Sequence, residues 1–182
     1  VTAASEPTAS ASRLIVRLQP GGAFGSGHHP STRVAMMLLE RALDAYQDAT
    51  VLDCGCGSGL LAIAAIGLGA SRTLGFDIDA HAIDLARRHA ELNSVADRCQ
   101  WRTGQLGDLQ GRWDLLVANL PPGILCKLGD GFQDHVGKGL IVAGFEDRTA
   151  AKIEAALPWA SVVDRVHVDG WSATWLEPRT LR

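Results

Sequence analysis

Three glycines at alternate positions, Gly55, Gly57 and Gly59, follow an apolar run that begins at Val51. Glycine lets a backbone turn sharply and approach a ligand closely, and the free amides at the start of a following helix attract polar or anionic groups. A pyrophosphate-binding GxGxxG loop would place its third glycine where this sequence has Leu60. The spacing therefore indicates a nucleotide-like cofactor and disfavours NAD.

Asp77 ends the next predicted strand, 22 residues after Gly55. A carboxylate at that position can accept hydrogen bonds from both hydroxyls of an adenosine ribose. Together with Asp53, which precedes the glycines, it favours S-adenosylmethionine over NAD. The alternative is that Asp77 only caps the following helix, but Asp79 already stands at the cap position.

Asn119 ends a later strand and is followed by Leu120, Pro121 and Pro122. In an open parallel sheet, ligands bind at the carboxyl ends of the strands, near the point where the strand order reverses. The Asn119 amide can contact an amine there, and the prolines fix the backbone that follows. The alternative is an asparagine that ends a strand and caps a turn.

A glycine-rich loop with adjacent histidines, His28 and His29, precedes the first predicted helix. Neighbours in sequence rarely bind one metal ion, and no third ligand stands at a suitable spacing, so we predict no metal site. Such a loop can instead fold over a bound cofactor, with the hydroxyl and amide of Thr32 directed at the ligand.

Composition excludes several classes of protein. The chain has 182 residues, 47% of them hydrophobic and 20% charged, which is typical of one globular domain. The net charge of −3 provides no excess of positive charge for a polyanion, so nucleic acid is not the expected partner. The longest apolar run, Leu60 to Ile66, is too short to span a bilayer, and no signal-peptide pattern is present. Four cysteines without a CxxC spacing indicate reduced thiols and a cytoplasmic protein.

Strand-like and helix-like segments alternate along the chain, which predicts an α/β fold with a mostly parallel sheet. The predicted strands are Arg13–Leu18, Thr50–Cys54, Arg72–Asp77, Cys99–Thr103, Trp113–Asn119, Leu140–Phe145, Ser161–Val168 and Trp171–Leu176. The predicted helices run from Ser31, as N-cap, to Ala45, over Leu60–Leu68, from Asp79, as N-cap, to Asn93, over Ile124–His135 and over Arg148–Leu157. The turn signal Asp169-Gly170 joins the last two strands into an antiparallel hairpin.

The first twelve residues, Val1 to Ser12, are nearly all Ala, Ser and Thr, with no periodicity and little apolar bulk. We interpret residues 1–12 as a flexible tail or as the remnant of a linker to a preceding domain, and residues 13–182 as one domain.

Four stretches make residues 13 to 178 resemble the catalytic domain of the ribosomal protein L11 methyltransferase family. They are AFGSGHHPSTR (Ala23–Arg33), VLDCGCGSGLLAIAA (Val51–Ala65), LGFDIDAHAIDLARRHAELN (Leu74–Asn93) and DLLVANL (Asp114–Leu120). The resemblance implies a Rossmann-like class I methyltransferase fold that uses S-adenosylmethionine. Its sheet would have seven mostly parallel strands, with an antiparallel C-terminal hairpin and helices on both faces. The family's cofactor contacts fall on Thr32, Gly55, Asp77 and Asn119, and its pocket lining on Phe24, Gly57 and Ile78.

The resemblance also implies an activity, the N-methylation of lysine or N-terminal amines of a protein such as a ribosomal protein. Two features depart from the family: Pro121-Pro122 replaces small residues, and the sequence contains no N-terminal domain of the kind that grips the ribosomal protein. The prolines keep an alternative open, a methyltransferase for a small molecule or a nucleic-acid base. We predict no dedicated general base, because an amine aligned with the activated methyl group needs little further help.

Overall fold

A computed structural model describes residues 14–19 and 27–179. It forms one seven-stranded sheet with helices on both faces. The strands are β1 (Thr50–Cys54), β2 (Arg72–Asp77), β3 (Cys99–Thr103), β4 (Trp113–Asn119), β5 (Val136–Glu146), β6 (Ala160–Val168) and β7 (Trp171–Pro178). The α-helices are α1 (Pro30–Ala45), α2 (Leu60–Gly67), α3 (Ala80–Leu92), α4 (Pro122–Phe132) and α5 (Ala150–Ala155).

The order of strands in the sheet is β3-β2-β1-β4-β5-β7-β6. Strands β1 to β5 pair in parallel, whereas β7 is antiparallel to both β5 and β6. From β1 the chain runs outward through β2 to β3 and then returns to β4 on the other side of β1. The crevice at the carboxyl ends of β1 and β4 therefore lies at the reversal of strand order, where open α/β sheets bind ligands. The predicted fold class is confirmed.

Consecutive residues of the central strands face opposite cores. Val51 of β1 packs with the side chains of α1 and α2, whereas Leu52 packs with those of α4 and α5. Leu115 and Leu116 of β4 divide in the same way. Because both faces of β1 and β4 are buried, these two strands read as nearly continuous apolar runs. The predicted bounds of β1 to β4 are confirmed.

The predicted first strand, Arg13–Leu18, is wrong: its described part, Leu14–Leu18, forms neither strand nor helix, and nor does Gln19. Its backbone bonds to side chains of α3 rather than to a neighbouring strand. Arg17 N–H donates to Asn93 Oδ1 at 2.8 Å, and Asn93 Nδ2 donates to the Arg17 carbonyl at 2.7 Å. Alternate residues, Leu14, Val16 and Leu18, line one apolar groove, which explains the strand-like pattern.

Two helices begin before their predicted starts. α1 begins at Pro30, and its N-cap is His29 rather than Ser31. α4 begins at Pro122, two residues before the predicted Ile124, because proline suits the first turn, where no N–H partner is needed.

β5 begins at Val136 rather than at the predicted Leu140, because glycines interrupt the strand-like sequence pattern at its start. α4 accordingly ends at Phe132, before the predicted His135, and the polypeptide enters β5 almost at once. α5 is shorter than predicted, since a 3-10 turn occupies residues 147–149. No helix among the described residues has the length and apolar character needed to cross a membrane.

Candidate functional site

The glycine loop joins β1 to α2 in a conformation that other residues rarely adopt. Gly55 and Gly57 have φ values of +71° and +51°. A Cβ atom at Gly55 would lie 2.4 Å from Cδ2 of Leu120, so a larger residue there would have to displace the Leu120 side chain in addition to adopting a strained φ. A Cβ at Gly57 would meet no atom within 4 Å, because this glycine faces open space. The loop therefore packs tightly against the end of β4 at one glycine and is open to a ligand at the next.

Asp77 at the end of β2 holds the loop with its carboxylate. Its Oδ2 accepts the Gly57 N–H at 3.0 Å, and its Oδ1 accepts the Asp79 N–H at 3.0 Å. Asp79 itself accepts the His81 N–H at 2.9 Å and is the N-cap of α3. Asp77 is therefore not the helix cap, and its half-buried carboxylate stays beside the open glycine.

A cavity of about 780 Å³ lies between the glycine loop, the end of β4 and the start of α1. Four of the seven predicted cofactor residues line it: Thr32, Gly55, Gly57 and Asn119. Asp77 does not line it but adjoins it through Gly57. Ile78 is 78% exposed and lies outside the lining, and Phe24 lies outside the described residues.

Asn119 lies at the mouth of this cavity with Leu120, Pro121 and Pro122. The backbone here is fixed from both sides. Leu120 N–H donates to the Ala143 carbonyl of β5 at 3.1 Å, and the prolines begin α4. Within the described part of the chain, the Asn119 side-chain amide has no hydrogen-bond partner. It is free to bind a ligand.

The start of α1 forms the opposite wall. The His29 side chain accepts the Ser31 N–H at 3.2 Å through Nδ1, and the His29 carbonyl accepts the Thr32 N–H at 2.9 Å. The Thr32 amide is thus used within the helix cap, and of the two groups predicted to face the ligand only the hydroxyl is available. No cluster of three metal-binding side chains occurs in residues 14–19 and 27–179.

Trp171, at the first position of β7, is a lining residue that the sequence did not reveal. It meets the His29 ring edge to face, with ring centroids 4.4 Å apart. Arg33 and Asp169 form an ion pair of 2.9 Å that joins the same two elements. The available signal was the Asp169-Gly170 turn, but only the sheet order brings this hairpin to the cavity.

Asp53 also lines the cavity and is almost completely buried. Burial raises its pKa to about 7, and this effect exceeds the opposing hydrogen bond from the Ala62 N–H at 3.1 Å. Burial also raises the pKa of the Cys56 thiol, which disfavours the thiolate.

Solved structures of methyltransferases share this fold. A ribosomal protein L11 methylase from Lactobacillus delbrueckii subsp. bulgaricus superposes with a TM-score of 0.84 at 31% identity, covering 98% of this chain and 91% of that one. An RNA methyltransferase from Salinibacter ruber in complex with S-adenosyl-L-homocysteine shares the fold, with a TM-score of 0.64 at 19% identity, over 80% of this chain and 94% of that one. The fold is that of the Rossmann-like methyltransferases.

The family model described as "Ribosomal protein L11 methyltransferase (PrmA)" matches residues 1–177, and the chain belongs to this family. A ribosomal protein L11 methyltransferase of the same Lactobacillus subspecies is 41% identical over 145 residues, 79% of this chain and 46% of the relative. The corresponding protein of Cupriavidus pinatubonensis is 40% identical over 172 residues, 92% of this chain and 54% of the relative. The chain spans about half the length of the curated relatives it matches.

Proposed function

We propose that this chain binds S-adenosylmethionine in the cavity and transfers its methyl group to amino groups of a ribosomal protein. The observation that carries the proposal is the convergence of Thr32, Gly55, Gly57 and Asn119 on one cavity at the reversal of strand order.

The residues present fit this cofactor. The cavity volume of about 780 Å³ falls within the usual range of about 300–1,000 Å³ for small-molecule sites. Gly57 faces open space where a Cβ would otherwise intrude, and the Asp77 carboxylate beside it is suited to accept ribose hydroxyls. Leu60 and Leu61 add apolar contact surface.

Bound S-adenosylmethionine supplies an activated methyl group, so the protein needs only to align the acceptor. Asn119, at the cavity mouth with an unpaired side-chain amide, is placed to orient the acceptor nitrogen. Alignment of this kind accounts for much of the rate of an in-line displacement. The amine must be neutral to attack, which is easier for an α-amine (pKa about 7.7–8) than for lysine (about 10.4).

A methyl-transfer assay with labelled S-adenosylmethionine tests the proposal. Purified chain is incubated with ribosomal proteins, with short amine-bearing peptides and with a small-molecule extract, and the labelled product is identified. Asn119→Ala is expected to lower kcat and, because Asn119 is also one of the predicted cofactor contacts, to raise the Kd of S-adenosylhomocysteine. Label only in a small molecule or a nucleic acid would replace the protein substrate with the second candidate, and binding of NAD without S-adenosylhomocysteine would refute the cofactor.

A further inference from the structure

His89 is a buried imidazole in α3, only 1% exposed, that joins two parts of the chain. Its Nδ1 lies 2.8 Å from the carbonyl oxygen of Ser58, and its Nε2 lies 3.0 Å from the backbone nitrogen of Gln19. A carbonyl can only accept a hydrogen bond and a backbone N–H can only donate one. These partners therefore fix His89 as the neutral tautomer with its hydrogen on Nδ1.

Ser58 belongs to the glycine loop and lines the cavity. It is flanked by Gly57 and Gly59, whose φ values of +51° and +78° lie in the left-handed region. Glycine offers little intrinsic resistance to backbone rotation, so contacts from outside the loop decide its conformation. Asp77 accepts a hydrogen bond from the Gly57 N–H, and His89 donates one to the carbonyl of the next residue, Ser58.

We propose that His89 is a positioning residue of the cofactor site, acting through the Ser58 carbonyl. Its Nδ1–H fixes the peptide between Ser58 and Gly59 and thereby the backbone that faces the cavity. This inference rests on the proposed function, since it assigns His89 a role in the binding of S-adenosylmethionine there.

The competing role is purely structural. Through Nε2, His89 also fastens the segment Leu14–Gln19 to α3, next to the pair formed by Arg17 and Asn93. The two roles use different ring nitrogens and can be separated by substitution. The amide nitrogen of asparagine reaches the place of Nδ1, whereas the amide group of glutamine reaches the place of Nε2.

The experiment compares H89N and H89Q with Q19P, which removes the N–H that Nε2 accepts. S-adenosylhomocysteine affinity is measured by calorimetry and steady-state kinetics follow, with circular dichroism and thermal melting to verify folding. H89N and Q19P are expected to bind within about twofold of the parent protein. H89Q is expected to bind roughly tenfold more weakly, the scale of one lost hydrogen bond, with the change in the cofactor KM rather than in kcat.

Two results would contradict the positioning role. Equal affinities in all three variants, or a loss in Q19P as large as that in H89Q, would overturn the positioning role and leave the proposed function intact. Failure of the parent protein itself to bind S-adenosylhomocysteine would refute the proposed function, and this inference with it.

Nitrogen NMR of the parent protein tests the same role without a substitution, in case H89Q does not fold. S-adenosylhomocysteine is expected to shift the Nδ1 resonance of His89. His135 is the matched control, because its Nδ1 also contacts a backbone carbonyl, that of Gly111, at 3.0 Å. Neither His135 nor Gly111 lines the cavity. An unchanged His89 resonance in ligand-saturated protein would overturn the inference.

Discussion

Replacement of Asp77 by alanine removes one carboxylate that makes two backbone contacts. Its oxygens accept the N–H groups of Gly57 and Asp79, each at 3.0 Å. In the proposed complex the same carboxylate also accepts the ribose hydroxyls of the cofactor. The substitution is therefore expected to lower both the free energy of unfolding and the affinity for S-adenosylhomocysteine.

The affinity and the stability should fall by comparable amounts. A hydrogen bond to a charged group contributes about 1.5–3 kcal/mol, which corresponds to a roughly 10- to 150-fold rise in Kd. Each lost backbone contact of Asp77 should cost about 0.5–1.5 kcal/mol of unfolding free energy, since the group is only half-buried. Titration calorimetry measures the first quantity and urea denaturation without ligand measures the second.

Asp79→Ala is the matched control, because Asp79 caps α3 through the His81 N–H and is not a predicted cofactor contact. Loss of this cap should cost about 0.5–2 kcal/mol of stability while the affinity stays within about twofold. Asp77→Asn, which keeps one acceptor oxygen, should bind with intermediate affinity. If Asp77→Ala bound as tightly as the parent protein, the ribose partner would have to be another residue.

Gly55→Ala should lower the free energy of unfolding by about 1–3 kcal/mol, because its Cβ would lie 2.4 Å from Cδ2 of Leu120. Gly57→Ala should cost only about 1 kcal/mol of backbone strain and should mainly weaken cofactor binding. Equal unfolding free energies of the two variants would contradict this contrast. Because the folded-state pKa of Asp53 is raised to about 7, folding takes up a proton, so its contribution to stability should decline as pH rises from about 4 to 7 and stay level above. The difference in unfolding free energy between the parent protein and Asp53→Asn should follow that curve, with a slope of at most about 1.4 kcal/mol per pH unit, and a flat difference would refute it. Fusion of a family docking domain ahead of Arg13 should raise turnover of a ribosomal protein on the order of a hundredfold through effective concentration, without changing turnover of a short peptide; an unchanged rate in the fusion would remove the need for docking.

The central strands were predictable because burial on both faces leaves continuous apolar runs between glycines and caps. The first predicted strand failed for a reason outside any local pattern, since its partners are side chains of α3. The start of β5 was hidden by glycines that tertiary packing requires. A Cβ at Gly139 would lie 2.9 Å from Nε1 of Trp175 on the neighbouring strand, a contact that only the sheet order creates.

Some residues of the candidate site could likewise be predicted from the sequence, and others could not. Gly55, Gly57 and Asn119 were recognisable because they stand directly after strands, where the topology must bring them to one edge. Trp171 and His89 were not recognisable. Trp171 reaches the cavity by the packing of a distant hairpin, and His89 reads as one polar residue within a helix whose other inward positions are apolar.

The position of β7 has a consequence for synthesis of the protein. The last strand of the described residues does not lie at an edge of the sheet but between β5 and β6. Until residues 171–178 leave the ribosome, β5 exposes an unpaired edge, and the cavity lacks the wall that Trp171 provides. A nascent or truncated chain without β7 therefore has an incomplete cavity wall and a sheet edge that is open to pairing with another chain.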